Sequence, residues 1–355
     1  RDTPLIVEDN QFITATTMPP PLPPPASPSS SPPLPPLTCS KEDDVPSPFV
    51  VEEILIKNGM PLSKIDTNNV LRKSFSLGER ILGGRTILKI SNVVSNEEID
   101  FLIRSSIESS DKRRRQKHNG STDDMGSTHN NNQILLEQGV PGKIFVRLLT
   151  HATARRENSI EDAMDEEASI LVDTILERTM RILDSSDDVC PSMKTTLFCT
   201  SSTKTPSSAS ASDTAPSSST SPISIAELFT TDQLDYSIRE PAINVYEKQG
   251  QFVMHKDHHA LSIVIPLSDP KEDFQGGGTA FWNQSHPVEG MDRPSIVLKP
   301  KPGTAMLWGG RVSHKGMPIS HGTRVVIVAS FSGPDSPNMK EDVRDRLSAG
   351  LGVKS

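Results

Sequence analysis

From about residue 223 onward the chain alternates short apolar runs with Gly, Pro and Asp turns: "AINVYEK", "LSIVIPL", "GTAFW", "SIVLK", "TAMLW" and "RVVIVASFS". Apolar runs of this length bounded by turn residues read as β-strands, and six at such spacing predict an all-β sandwich or barrel. Upstream the period changes. Thr86 to Ile90 reads as one more strand. Ser95 followed three positions later by Glu98 is a capping-box start, and Ile99, Leu102, Ile103 and Ile107 then recur at helical spacing. A second helix is predicted over 160–184. Ser159 precedes it, acids fill its first turns and arginines lie near its end, as the helix dipole favours. Ile160, Met164, Ala168, Leu171, Ile175 and Ile182 trace one face of that helix, a core face.

Other stretches carry no apolar period. Residues 1–49 include "PPPLPPPASPSSSPPLPPL", where proline removes donors and fixes φ, so the segment reads as an extended or disordered tail. A plain spacer and a ligand for a polyproline-reading domain are both open for it. Residues 50–85 form a lead-in of uncertain role. Two low-complexity insertions, 108–133 and 200–222, are predicted to be solvated, with Lys112 to Arg115 a charged loop or a contact for an acidic partner. The folded domain therefore spans 86–333. The tail 334–355 carries "MKEDVRDRLSAGL", which predicts a terminal helix.

Composition narrows the picture. Only 34% of residues are hydrophobic and 30 are proline, so the packable part is much shorter than 355 residues and does not fill two domains. A net charge of -8 and a pI near 5.6 disfavour a nucleic-acid partner. Cys39, Cys190 and Cys199 have neither zinc-site spacing nor a disulfide framework; Cys190 and Cys199 are free thiols or a bridge. No apolar run approaches the roughly 18 residues of a membrane span. The chain opens at Arg1, so a targeting segment is an open question. Glycosylation acceptor patterns at Asn119 and Asn283 leave the compartment between cytoplasm and endoplasmic reticulum lumen.

The candidate chemistry begins at "MHKDHHALSIVIPLS", residues 254–268. His255 and Asp257 form H-x-D. On a strand, alternate residues share a face, so both side chains can point inward together. Two such ligands begin a metal site, and Fe(II) suits two histidines and one carboxylate with three adjacent positions open. The third ligand is sought among His258, His259, His286, His314 and His321. His258 and His259 are too close in sequence to reach round the opposite side, and His286 sits in a turn-like stretch before Pro287. His314 follows the strand "TAMLW", and ten positions on stands Arg324, at the head of the very apolar "RVVIVASF". An arginine leading a buried strand is costly unless it meets a carboxylate. Neither His286 nor His321 has a basic residue at that spacing. The set His255, Asp257, His314 with Arg324 predicts ferrous iron beside a forked pair to a 2-oxo acid. The alternative is that His314 caps a loop and Arg324 makes an internal salt bridge.

These residues carry a resemblance. The stretches "YEKQGQFVMHKD", "GGGTAFW" and "KPGTAMLWGGRVSHKGMPISHGTR", with the last strand, make residues 243–332 resemble the catalytic core of the 2-oxoglutarate- and iron(II)-dependent dioxygenases, prolyl 4-hydroxylase-like branch. The opening "TILKISNVVSNEEIDFLI" is similar to that branch's first strand and helix. The resemblance implies an α+β fold, mainly β: a double-stranded β-helix, or jelly-roll, packed against N-terminal helices. It implies His255, Asp257 and His314 as iron ligands and Arg324 as the partner of the 2-oxoglutarate C5 carboxylate. It also implies Tyr246 and Thr279 as groups that help hold that carboxylate; by residue type alone they are equally a core-edge aromatic and a strand hydroxyl. Implied cofactors are Fe(II) and 2-oxoglutarate, with ascorbate as a reductant, and implied partners are O2 and a peptide or protein. The expected reaction is hydroxylation of a C–H bond, foremost of peptidyl proline, with succinate and CO2 as coproducts. Lysyl or small-molecule hydroxylation and a non-catalytic jelly-roll binding protein are the alternatives. The branch's collagen-type members usually carry Lys where this chain has Arg324, and an aromatic further along that strand. Dry walls for the site are expected from Leu261, Ile263, Ile265 and Trp308. Gly276 to Gly278 lack the Lys-Ser/Thr of a phosphate loop and are read as permitting close backbone approach.

Overall fold

The computed structural model describes residues 6–8, 49–56, 60–61, 77–119, 145–185, 224–257, 259–282 and 293–333. The proline-rich part of the tail, the insertion 200–222, the C-terminal helix, the three cysteines, Asn283, His258 and His286 lie outside these residues.

All six runs form strands, and the intervening turns hide several shorter ones. In chain order the strands are β1 (Ile6–Glu8), β2 (Val51–Leu55), β3 (Met60–Pro61), β4 (Thr86–Ile90), β5 (Val146–Leu149), β6 (Asp235–Tyr236), β7 (Ala242–Tyr246) and β8 (Phe252–His255). They continue with β9 (Leu261–Pro266), β10 (Phe274–Gly276), β11 (Thr279–Phe281), β12 (Ile296–Lys299), β13 (Ala305–Trp308), β14 (His314–Gly316), β15 (Ile319–Gly322) and β16 (Arg324–Ser332). The major sheet runs β3-β2-β4-β13-β9-β16-β7-β5, with β6 beside β16; the minor sheet runs β1-β12-β11-β14-β8; β10 and β15 form a separate ribbon. From β7 to β16 the chain crosses repeatedly between β7, β9, β13 and β16 on one sheet and β8, β11, β12 and β14 on the other. That winding is a double-stranded β-helix. Within the tail, Ile6–Glu8 pairs in parallel with β12, so part of it is a strand.

Period-2 alternation decides what each sheet face does. In β16, Val325, Ile327, Ala329 and Phe331 point into the helical side, while Arg324, Val326, Val328 and Ser330 point into the cavity between the sheets. The same alternation corrects the expected walls. Leu261 and Ile265 of β9 join the helix-facing core, and the cavity is met by Ser262 and Val264, with Ile263 and Trp308.

The helices are α1 (Leu77–Leu82), α2 (Asn96–Asn119), α3 (His151–Arg156), α4 (Glu166–Ser185) and α5 (Ile225–Thr230). The capping box opens α2 as expected: Ser95 N–H donates to Glu98 Oε2 at 2.8 Å and Glu98 N–H to Ser95 Oγ at 3.3 Å. Helix α2 then runs through the first part of the expected insertion, to Asn119. Polar contacts of Arg113 replace the apolar period there: it donates to the carbonyl of Arg147 at 2.5 Å and pairs with Asp162. Arg113 is thus an internal tie. Helix α4 starts later than the sequence predicts. Ala163 bridges Leu149, and Met164 N–H donates to Leu149 O at 2.9 Å, so this backbone is tied to β5. Asp165 caps α4 instead, accepting from Ala168 N–H at 2.8 Å, and Ile160 falls on a 3-10 turn, 60% exposed. Val172, Ile175, Leu176, Met180 and Leu183 of α4 pack with Ile99 and Leu102 of α2 over the outer face of the major sheet. This layer packs against β7, β9 and β16 behind the cavity. None of the helices among the described residues is long and apolar enough to cross a membrane.

Candidate active site

Three sequence-distant side chains meet where the two sheets face each other. His255 ends β8 and His314 begins β14; antiparallel pairing puts the two directly opposite, with ring centroids 4.2 Å apart. Asp257 follows β8, its N–H donating to Gly310 O at 3.0 Å. That bond turns the carboxylate back toward the imidazoles. His255 Nε2 lies 3.1 Å from Asp257 Oδ1, and His314 Nε2 lies 3.5 Å from Asp257 Oδ2. One donor atom from each of the three residues lies within 4.8 Å of the other two, a grouping able to hold a metal ion.

The tautomers follow from the backbone. His255 Nδ1 is 2.8 Å from Val253 O, and His314 Nδ1 is 3.0 Å from Val312 O. A carbonyl only accepts, so each Nδ1 carries the proton and each Nε2 keeps its lone pair. Burial pushes the His314 imidazole down to about 4 despite the carboxylate beside it, so it is neutral at physiological pH. Burial also opposes ionisation of Asp257, but His314, His255 and the Ser262 hydroxyl together hold its carboxyl below the ordinary range. Two imidazoles and one carboxylate make a donor set suited to Fe(II). Trp308 stands edge-on to His314 with centroids 4.9 Å apart, and Phe252 covers His255 at 4.2 Å.

Arg324, Tyr246 and Thr279 converge at one end of the same cavity. Arg324 is 4% exposed, and burial lowers its pKa. Its Nη2 donates to Thr279 Oγ1 at 3.1 Å, and its guanidinium carbon lies 5.5 Å over the Tyr246 ring, Tyr246 being its register partner on β7. No carboxylate among the described residues pairs with it, so the internal salt bridge is absent there. Gly277, with φ of +62°, lets the chain pass close to Phe274 and the Arg324 stem; a Cβ would lie 2.7 Å from the Phe274 ring. Close approach is therefore what this glycine run supplies.

Of the other candidate histidines among the described residues, neither joins the cluster: His259 is buried beside Ser332, and His321 lies on β15. Arg147, Glu240, Asn244 and Ser262 also line the cavity and were missed. Arg147, a charge inside the apolar "VRLL", carries the same signal that singles out Arg324. Asn244 and Ser262 share a strand face with Tyr246 and Val264, so alternation could have found them. Nothing in the sequence marks Glu240.

Gly310 is a test of this assembly. A Cβ there would run into the backbone of His259, and the Gly310 carbonyl positions Asp257. Gly310→Ala is expected to lower the thermal midpoint and to weaken ferrous-ion binding together, read by calorimetry and anaerobic metal titration.

Comparison with known proteins agrees with this geometry. Residues 241–331 match the family model of the 2OG-Fe(II) oxygenase superfamily. A stretch of 90 residues is 33% identical to procollagen-lysine,2-oxoglutarate 5-dioxygenase 2 of Homo sapiens, and equally to that of Mus musculus; it is 25% of this chain and spans only 11% of those relatives' length. Among solved structures, the viral collagen prolyl hydroxylase of Paramecium Bursaria Chlorella virus-1 aligns over 71% of this chain and 98% of its own, at 13% identity and a TM-score of 0.35. An oxidoreductase of the 2OG-Fe(II) oxygenase family from Burkholderia pseudomallei aligns over 32% of this chain and 54% of its own, at 22% identity and a TM-score of 0.24. The segment matched by that family model, residues 241–331, contains His255, Asp257, His314 and Arg324.

Proposed function

We propose that this protein hydroxylates a C–H bond of a peptidyl residue, using Fe(II), O2 and 2-oxoglutarate, with release of succinate and CO2. In this reading His255 Nε2, His314 Nε2 and the Asp257 carboxylate hold the iron. Bound there with 2-oxoglutarate, the ferrous ion supplies the oxidising chemistry, which no side chain of the cavity can supply by itself. Ascorbate would keep the iron ferrous. The chain's own residues bind, orient and exclude water. Arg324 takes the far carboxylate of 2-oxoglutarate through its forked donors, and Tyr246 and Thr279 flank that pair. Trp308, Val264 and Val326 keep the neighbouring wall dry.

The observation that carries this reading is Arg324. A guanidinium 4% exposed, with a hydroxyl and an aromatic face beside it but no carboxylate among the described residues, calls for an anionic ligand. The cavity it faces also holds the His255–Asp257–His314 cluster. A 2-oxo acid with a second carboxylate satisfies both ends at once. Peptidyl proline is the acceptor that the resemblance puts first. Lysyl hydroxylation is the second reading, favoured by a buried carboxylate described below.

Titrating the protein with Fe(II) and 2-oxoglutarate under argon is the direct test. A visible metal-to-ligand charge-transfer band that saturates with 2-oxoglutarate is expected. No band at any concentration would leave a jelly-roll binding protein as the better account.

A further inference from the structure

The cavity continues past the metal-ligand cluster along the inner face of the major sheet. Glu240, 8% exposed, forms its wall there with Arg147 and Asn244. Arg147 Nε donates to Asn244 Oδ1 at 2.9 Å, while its Nη1 stands 3.8 Å from Glu240 Oε1, too far for a good hydrogen bond. Glu240 Oε2 is shielded from solvent and has no hydrogen-bond partner among the described residues. Ser330 bonds the Glu240 carboxylate and is the register partner of Ser262, whose hydroxyl donates to Asp257. Glu240 thus stands on the Asp257 side of the cavity. Arg324 lies at the other end of β16 from Ser330, roughly 20 Å along the strand at about 3.3 Å per residue. The expected cosubstrate site and Glu240 flank the metal position from opposite sides.

A buried carboxylate oxygen without a partner costs free energy until a donor reaches it. Burial pushes the Glu240 carboxyl up, Arg147 opposes the rise and the Asp257 carboxylate adds to it, so a cation placed at Oε2 would favour the ionised form. A neutral donor corrects the missing hydrogen bond; a cation corrects the bond and the charge.

We propose that Glu240 is a specificity-determining residue that receives the protonated amine of the acceptor, so that the C–H bond offered to the metal belongs to a peptidyl lysine. This inference rests on the oxygenase reading above and decides between its two acceptors. Peptidyl proline has no N–H to offer and would leave Oε2 unsatisfied. A lysyl ammonium has three donors and would satisfy Oε2 once the Glu240 carboxylate turns that oxygen into the cavity, with the methylene chain lying toward the metal. The reaction balances as in any such oxygenation. One atom of O2 enters the C–H bond as hydroxyl, and the other enters succinate as 2-oxoglutarate loses CO2.

The test uses the full chain with Fe(II), 2-oxoglutarate and O2, and three peptides differing at one position: lysine, Nε-acetyl-lysine and proline. Products are read by mass spectrometry as addition of one oxygen at that residue. The lysine peptide is expected to be oxidised and the other two not. Glu240→Gln should raise KM for the lysine peptide roughly ten- to hundredfold, the scale of a lost charge-assisted hydrogen bond, with a smaller change in kcat. Oxidation of the proline or acetyl-lysine peptide at a comparable rate, no oxidation of the lysine peptide, or an unchanged KM in a folded Glu240→Gln would overturn the proposal. The wild-type peptide comparison stands even if that variant does not fold. The anaerobic charge-transfer band of the wild type separates the two failures: a band with no lysine preference sinks this inference alone, and no band sinks the oxygenase reading itself.

Discussion

Asp257→Ala is expected to abolish succinate release and to weaken ferrous-ion binding by well over a hundredfold. Even outer partners of a metal ligand are worth about ten- to a hundredfold, and Asp257 is the cluster's one anionic donor. Its two oxygens face the Nε2 atoms of His255 and His314 at 3.1 and 3.5 Å, so its loss leaves two imidazoles as the whole donor set. The fold should survive. What anchors this turn is the N–H of residue 257 on Gly310 O, which alanine keeps, and the shortened side chain removes a buried charge. Circular dichroism, anaerobic Fe(II) titration and succinate measured by NMR check the three parts separately. Succinate formed at more than about a tenth of the wild-type rate, with metal bound as before, would contradict the ligand assignment; the same change at His255 or His314 should act in the same direction.

Arg324→Leu is expected to have opposite effects on binding and on stability. Removing one partner of a buried charge pair costs about 2–5 kcal/mol, so the 2-oxoglutarate requirement should rise about a hundredfold or more. Without cosubstrate, the wild type buries a guanidinium whose charge is met by a Thr279 hydroxyl and the Tyr246 ring. Leucine relieves that burden and extends the apolar pattern of β16, so the ligand-free thermal midpoint should rise. 2-Oxoglutarate at a hundred times the wild-type Kd should then raise the wild-type midpoint, by about 2.7 kcal/mol of stability, and the variant's by no more than about 0.4 kcal/mol. Four melting curves decide it. A variant that 2-oxoglutarate stabilises as much as the wild type would place the carboxylate elsewhere.

These expectations differ in how far they could be drawn from residue order. The His255–Asp257 pair was legible because alternate strand residues share a face, Arg324 because a charge at the edge of an apolar run demands a partner, and His314 because it stands ten positions before Arg324. Ser95 and Glu98 were legible because a capping box is local: both partners lie within one helical turn. The start of α4 was not, since Ala163 and Met164 are held by Leu149 of a distant strand. Helix α2 outran its apolar period because Arg113 finds Asp162 and the Arg147 carbonyl, contacts that no window of sequence contains. The walls expected from Leu261 and Ile265 failed for a related reason. Alternation says that neighbours in β9 face opposite ways, but the tertiary arrangement decides which face meets helices and which meets the cavity.

The sequence by itself determined a series of short strands fit for a sandwich or barrel, which the family resemblance narrowed to a jelly-roll, and which histidines, aspartate and arginine were candidates for one site. Strand period, turn residues and misplaced charges are properties of neighbouring positions. Only the tertiary structure decided that β8 and β14 pair with His255 opposite His314. Only it decided that both Nδ1 atoms are committed to backbone carbonyls, and that Glu240 lines the cavity with one carboxylate oxygen buried and unbonded among the described residues. Register, tautomer and satisfaction of a buried polar atom depend on partners distant in the chain, and those partners meet only when the sheets close.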